Sequence, residues 1–404
     1  MKSIHIYASF GTSVLVISAL PQPAFGQVAD SWAIAGDVTV EANNTDAAVS
    51  VVPAEGALIS GAAISDGSRN SISISAVGAS ASVTRNTASF QDLTIADSID
   101  GDLAVTAANL EGPVTVVGTI DGAQVVQGHD NTIAVSAVGA SAQLGITDDV
   151  LGAATVSHSL TISGNVALSA ENTGAITVQT DIGANGDGPQ ISGGTRNAFS
   201  VSAVGASAGV SVLTIVDEGT YASDIAIGEG GEVTVSAINS GDVTIGSTED
   251  PTQSATLNGA TLSADSTDGS ISMMAIGASG SVSSTTVVYS GSAEPSVTFG
   301  DVSFDVQNSG AVASNVSITD LTLEGKNSIS VGAVGTSVSN SMRFINYSGD
   351  SMAIGGTIGT VNYSSANAGS VYVSGGMNNA AIGSGFGVVI AASAIGASAA
   401  FTLP

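Results

Sequence analysis

Val166-Ala167-Leu168-Ser169-Ala170-Glu171-Asn172-Thr173-Gly174-Ala175-Ile176-Thr177-Val178 decides the reading of this chain. Val166, Leu168, Ala170, Asn172, Gly174, Ile176 and Val178 stand at alternate positions, while Ala167, Ser169, Thr173 and Thr177 fill the other face. A period of two is the signature of a strand with one apolar face. Thirteen extended residues would reach about 43 Å, beyond an ordinary strand. The Asn-x-Gly at the centre therefore predicts a bend, with glycine relieving the backbone. Asn172 keeps the phase of the apolar face, so it points inward. A lone buried amide is costly, but copies stacked on one another satisfy each other's donors and acceptors.

Copies are present. The same pattern surrounds Asn239, Asn308 and Asn367, with looser versions at Asn44 and Asn109, spaced by 65, 63, 67, 69 and 59 residues. A second motif, Ala-Val-Gly-Ala-Ser with small departures, centres on Gly78, Gly139, Gly205, Gly277, Gly335 and Gly396, at gaps of 61, 66, 72, 58 and 61. It ends an alternating stretch opened by Asn70, Asn131, Asn197 and Asn327; the fourth and sixth copies lack this Asn. Two motifs sharing one period and one order make six repeats of about 64 residues. The expected fold is all-β, a β-solenoid or stacked-sheet array in which each repeat buries its face on its neighbours. A β-propeller is the alternative, disfavoured by only 4% aromatics; a membrane barrel ranks third, since it needs aromatic girdles. If a repeat is one rung, the six Asn stack directly; if it is about three, they lie too far apart to ladder.

Composition agrees. Ala, Val, Ile, Ser, Thr and 51 glycines dominate the 404 residues, poor material for helices and good material for close-stacked strands. Residues 1–26 read as a secretory signal: Lys2, an apolar run from Val14 to Leu20, Pro21 and Pro23, then Ala24-Phe25-Gly26 before Gln27. The run is too short for a membrane anchor. Residues 27–404 are the repeat array, closing at Phe401-Thr402-Leu403-Pro404, where no sorting tail or anchoring barrel is expected. Thirty-four acids against six Lys+Arg give a net charge of −28 and argue against nucleic acid or an anionic membrane as partner. Without Cys there is no disulfide and no thiolate chemistry, so packing and backbone hydrogen bonds must hold the fold.

Chemistry-bearing residues are sparse. Of three His, His5 leaves with the signal, and His129 and His158 show no metal-ligand spacing. His129 falls beside a strand-opening Asn, where other copies carry Arg69, Arg196 or Lys326, which reads as an edge feature. Asp148-Asp149, Asp217-Glu218 and Glu249-Asp250 read as solvated loop pairs rather than the spaced carboxylates of a glycosidase. Loops at Asp181 to Gly188 and Ser247 to Gln253 are expected to protrude, and Asn185-Gly186-Asp187 offers oxygen ligands for calcium, the one ion worth considering. No other metal or cofactor is expected, and no phosphate loop, since no Lys and no helix pattern follow the glycines.

Recurrent Asn-x-Gly within alternating strands, followed by Ala-Val-Gly-Ala-Ser, resembles repeat adhesins of bacterial surfaces. It is most similar to the holdfast anchor proteins of stalked alphaproteobacteria, more distantly to curli-type subunits, and in its Ala-Val-Gly-Ala-Ser runs to trimeric autotransporter heads. The period near 64 and the scarcity of Gln depart from curli, and autotransporter heads have shorter periods. The resemblance implies a secreted, outer-membrane-surface protein that fixes an adhesive polysaccharide to the envelope with partner anchor proteins and a secretion channel. A non-enzymatic adhesin or anchor is therefore expected first, a self-assembling extracellular filament or matrix subunit second, and a polysaccharide-active β-helix enzyme third.

Overall fold

The structure, a computed structural model, describes residues 4–8, 12–18, 28–53, 58–65, 67, 69–183, 188–246, 255–263, 265–347, 355–383 and 388–402, with side chains from residue 29 onward. The described residues form strands and connections, with no helix. They make three open stacks of parallel strands, of 8, 11 and 13 members. Each repeat passes once through all three, so one repeat is one rung of a β-solenoid. The propeller alternative is set aside, because propeller blades pair antiparallel, whereas Val166 lies beside Leu103 and Val233, and Ile176 beside Val114 and Val243, all in parallel.

In the third rung, Thr155–Ile162 and Val166–Asn172 run in the first return sheet, and Ile176–Ile182 in the second. The break at residues 173–175 is the bend expected of Asn-x-Gly. The rung closes with Ala198–Val216, a 19-residue strand of the long sheet. Its equivalents are Ser71–Ser89, Thr132–Val150, Ser266–Val288, Lys326–Asn346 and Val389–Thr402. β-Branched and small side chains suit this stacking, since each column repeats one shape at strand spacing.

The long strands depart from simple alternation. Ile133, Val135 and Ala137 are buried, then Ala140, Ala142, Leu144 and Ile146, so the inward set changes parity at Gly139. Pairing skips the same residue, passing from Val138↔Val204 to Ala140↔Ala206. An extra residue of this kind bends a strand. The bend is large. Nineteen extended residues would reach about 60 Å, yet Arg69, just before the first long strand, lies 3.7 Å from Asp149 and 3.5 Å from Asp217 at the far ends of the next two. The long sheet therefore doubles back on its outer side about its glycine column.

This fold splits the interior into lobes. Ile133, Val135 and Phe199 pack with Val114, Val116 and Ile176 of the second return sheet. Leu144 and Val210 pack with Val105, Leu168 and Val235 of the first. A small third cluster holds Val150, Val156 and Tyr221 at the far end.

The expected cleavage point between Gly26 and Gln27 lies outside the described residues, as do Asn185-Gly186-Asp187, the loop from Ser247 to Gln253, and the Glu249-Asp250 pair. Upstream, Ile4–Ala8 and Thr12–Ser18 run parallel to the first rung's strands, Ile4 beside Val38 and Thr12 beside Ser80. Among the described residues no helix is long and apolar enough to cross a membrane.

Candidate functional site

The six asparagines of the Asn-x-Gly bends fall on one line. Asn44 Nδ2 donates to Asn109 Oδ1 at 2.6 Å, and Asn109 to Asn172, Asn172 to Asn239, and Asn239 to Asn308 at 2.7 Å each. Asn308 donates to Asn367 at 2.6 Å. Each Nδ2 spends its second hydrogen on a nearby carbonyl of its own bend, Gly174 O at 2.8 Å in the third rung. The ladder has one polarity, with every amide donating toward the next rung.

The two sequence motifs meet at this line. A Cβ on Gly139 would lie 2.3 Å from Asn172 Oδ1 and 2.5 Å from Gly205 O; Gly78, Gly205, Gly277 and Gly335 are equally tight against Asn109, Asn239, Asn308 and Asn367. These glycines are required by close approach of the next rung, and their φ angles are ordinary. Gly396 is the exception, with only Asn367 Nδ2 near, at 3.9 Å. Asn and Gly together pinch the solenoid between its two main lobes.

A second column stands where the long strands begin. Asn70 N donates to Asn131 Oδ1 at 2.9 Å and Asn131 N to Asn197 Oδ1 at 3.0 Å. In the fourth copy Gly269 N and Ser266 Oγ take this role, donating to Asn327 Oδ1 at 2.9 and 3.1 Å.

Beside it the structure corrects the reading of His129. The residue aligned with Arg69 and Arg196 is Asp130, because Asn70, Asn131 and Asn197 share one register, while His129 bridges to Thr195. The column alternates in sign. Arg196 Nε and Nη2 donate to Asp130 at 2.6 and 2.8 Å, and Lys326 Nζ lies 2.8 Å from Asp268. The Arg196 hydrogen bonds hold the Asp130 carboxyl below its ordinary range. Asp149, across the fold of the long sheet, is pushed up, chiefly by burial.

Asp148-Asp149 is also corrected. The pair lies on a strand, so its members face opposite ways: Asp148 is buried and Asp149 meets Arg69 on the outer side. Asp148 belongs to an ionic cluster between the first and third lobes. Arg85 Nε donates to Asp97 at 2.7 Å and its Nη2 to Asp30 at 2.9 Å. His158 Nδ1 donates to Asp148 Oδ2 at 2.7 Å, and Tyr221 Oη donates to the same oxygen at 2.5 Å. Burial alone would lower the His158 pKa; the hydrogen bond to Asp148 and the charges of Asp148 and Asp97 outweigh it and raise the value to about 9. The nearer Asp97 oxygen is 3.8 Å from Nε2 and acts through its charge. His158 and Asp148 are at most 1% exposed, so no substrate reaches them; their arrangement ties neighbouring rungs together. Sequence reasoning missed this cluster because each member occurs once in its column.

Outward, the Ser of each Ala-Val-Gly-Ala-Ser run forms another column: Ser80, Ser141, Ser207, Ser279 and Ser337, with Ser398 in the last rung. Ser279 Oγ donates to Ser207 Oγ at 3.3 Å and Ser398 Oγ to Ser337 Oγ at 3.4 Å. Among the described residues, no group of three or more His, Asp or Glu is placed to hold a metal ion. No family model, curated protein or solved structure matches this chain.

Proposed function

We propose that this chain is a non-enzymatic structural protein of the bacterial cell surface, an adhesin or anchor that holds an adhesive polysaccharide to the envelope. The observation that carries the proposal is the repetition of outward side chains at rung spacing. The serine column, half-buried in the crook of the doubled-back sheet, repeats the same hydroxyl six times, once every ~4.8 Å along the axis. Contacts that are weak singly become strong when presented in series on a stiff frame. The internal Asn ladder supplies the stiffness by fixing the register of all six rungs. The export reading rests on the character of residues 1–26.

The test is localisation of an epitope-tagged copy by surface protease shaving, with a deletion strain scored for attachment. A shaved, envelope-bound protein whose loss abolishes attachment is the expected result. Protein free in the medium with attachment intact would sink the anchor reading, and sugar release by the purified chain would revive the enzymatic one.

A second reading, a self-assembling filament or matrix subunit, is favoured by the sixth rung. Met377, Ile382 and Phe401 are exposed there, whereas Ile318, Leu323 and Asn340 beside them in the fifth rung are buried. Sedimentation across salt concentrations tests it; monomers throughout would count against it.

A further inference from the structure

We propose that the partner of the sixth rung is the first rung of a second copy of this chain, seated head to tail so that the stack continues in register. The proposal deepens the filament reading and is independent of any polysaccharide ligand.

Four observations converge. First, the sixth rung presents the same inward columns that join every pair of rungs. Val361, Tyr363 and Asn367 lie under Val302, Phe304 and Asn308, with the Tyr363 ring stacked at 5.2 Å on Phe304 and its other face bare. Carried through the register of all six rungs, the same columns begin at Val38, Val40 and Asn44. Second, the Asn ladder has matching ends. Asn367 Nδ2 donates to Gly369 O, and among the described residues its second hydrogen has no acceptor, whereas each inner Asn donates twice. Asn44 donates to Ala47 O and Asn109 Oδ1, and among the described residues nothing donates to its own Oδ1. One end lacks an acceptor and the other a donor, so the fit is polar: tail to head.

Third, Gly396 is the glycine left without a closely packed Asn, and the Asn44 of a following copy would take that place. A recess of about 340 Å³ opens at the same end in the lobe of the second return sheet, lined in part by Val316, Ile318, Val331, Val373 and Ile390, the space that the side chains of a seventh rung would fill. Fourth, the charge pattern permits contact. The chain carries −28, yet residues 351–404 contain no Asp, Glu, Lys, Arg or His. An acidic first rung, with Asp37, Glu41 and Asp46, meets no like charge there. In this structure Ile4–Ala8 and Thr12–Ser18 lie along the first rung's edge, so removal of the signal segment frees the edge that a second copy needs.

The experiment uses the exported chain, its processed N-terminus checked by mass, and exploits its lack of Cys. Thr39 and Asn362 are equivalent positions of the first and sixth rungs and point outward. In a head-to-tail stack their Cα atoms would be about 4.8 Å apart, within disulfide range. Thr39→Cys and Asn362→Cys chains are mixed under mild oxidation, beside each variant alone and a Thr39→Cys mixture with Ser141→Cys. Sedimentation of the unmodified chain is run in parallel. The expected result is concentration-dependent assembly, with linked dimers at least tenfold more abundant in the Thr39/Asn362 mixture than in any control. Assembly without that selective link would overturn the head-to-tail geometry and leave the filament reading standing. Monomers with no link would overturn both.

Discussion

Asn172 sits mid-ladder, where the hydrogen-bond reading makes its sharpest demand. It donates to Asn239 Oδ1 and Gly174 O and accepts from Asn109, all at 2.7–2.8 Å, and it is fully buried. Asn172→Ala strands one donor and two acceptors in the interior. Each such group costs about 1–3 kcal/mol, and with some relaxation the sum is about 3–6 kcal/mol. At a urea m-value of about 3 kcal/mol per M, the unfolding midpoint should fall by about 1–2 M. Asn172→Asp keeps the shape and separates hydrogen bonding from packing. An ionised carboxylate accepts from Asn109 but faces Asn239 Oδ1 and Gly174 O with no proton to give, so at neutral pH it should be worse than alanine. Burial and those two oxygens raise its folded pKa above the ordinary Asp value of about 3.9. A raised folded pKa means that the stabilising protonated form is fully present below about pH 4 and is lost as pH rises through the folded value. Relative to the unsubstituted chain, Asn172→Asp should therefore recover on acidification and Asn172→Ala should not. Urea titrations at several pH values, followed by far-UV circular dichroism, read both. Equal pH dependence of the two variants, or a loss under about 0.5 kcal/mol for alanine, would refute the ladder as an energetic element.

Other outcomes follow from the same geometry. His158→Leu leaves Asp148 buried without its cationic partner and should cost about 3–5 kcal/mol at pH 7, measured by urea unfolding. In the unsubstituted chain, the contribution of His158 is complete below about pH 6.5 and fades as pH rises through about 9; a flat stability profile between pH 7 and 10 would contradict the raised value. Gly205→Ala drives a Cβ to 2.3 Å from Asn239 Oδ1 and 2.4 Å from Gly277 O, so it should cost more than about 3 kcal/mol, while Gly145→Ala, with Thr84 at 3.7 Å, should be nearly neutral; thermal melts compare them. Arg69→Gln removes two long, exposed ion pairs and should cost less than about 1 kcal/mol, an effect that added salt erases.

The repeating parts of this architecture were legible because they repeat. Asn172 kept the phase of the apolar face, and the structure puts it inside, bonded to its copies. The bend at Thr173-Gly174 followed from the length of the run together with the glycine at its centre. Gly139 was visible as a motif, but its purpose was not: the contact with Asn172 joins two segments some 30 residues apart, and no local pattern reports it. The doubling back of the long strands was hidden likewise, since Arg69 and Asp149 meet across two rungs. Arg85, Asp97, Asp148 and His158 each break their own column, so a reading that sought sameness passed over them. Asp130 was missed through a one-residue misalignment, with His129 standing next to it.

The size of the rung sets how the chain must fold. Ladder partners are 59 to 69 residues apart, so strand pairing yields no short-range contact. Closing a loop of that length costs about 4 kcal/mol in chain entropy before any pairing rewards it, and non-local topologies of this kind fold slowly. The first two rungs to meet carry the greatest barrier. After that, an existing edge guides every strand that follows, and the arriving segment need only extend along it. A chain emerging N-terminus first from the ribosome would build its rungs in the order of their synthesis, each completed coil serving as the template for the next.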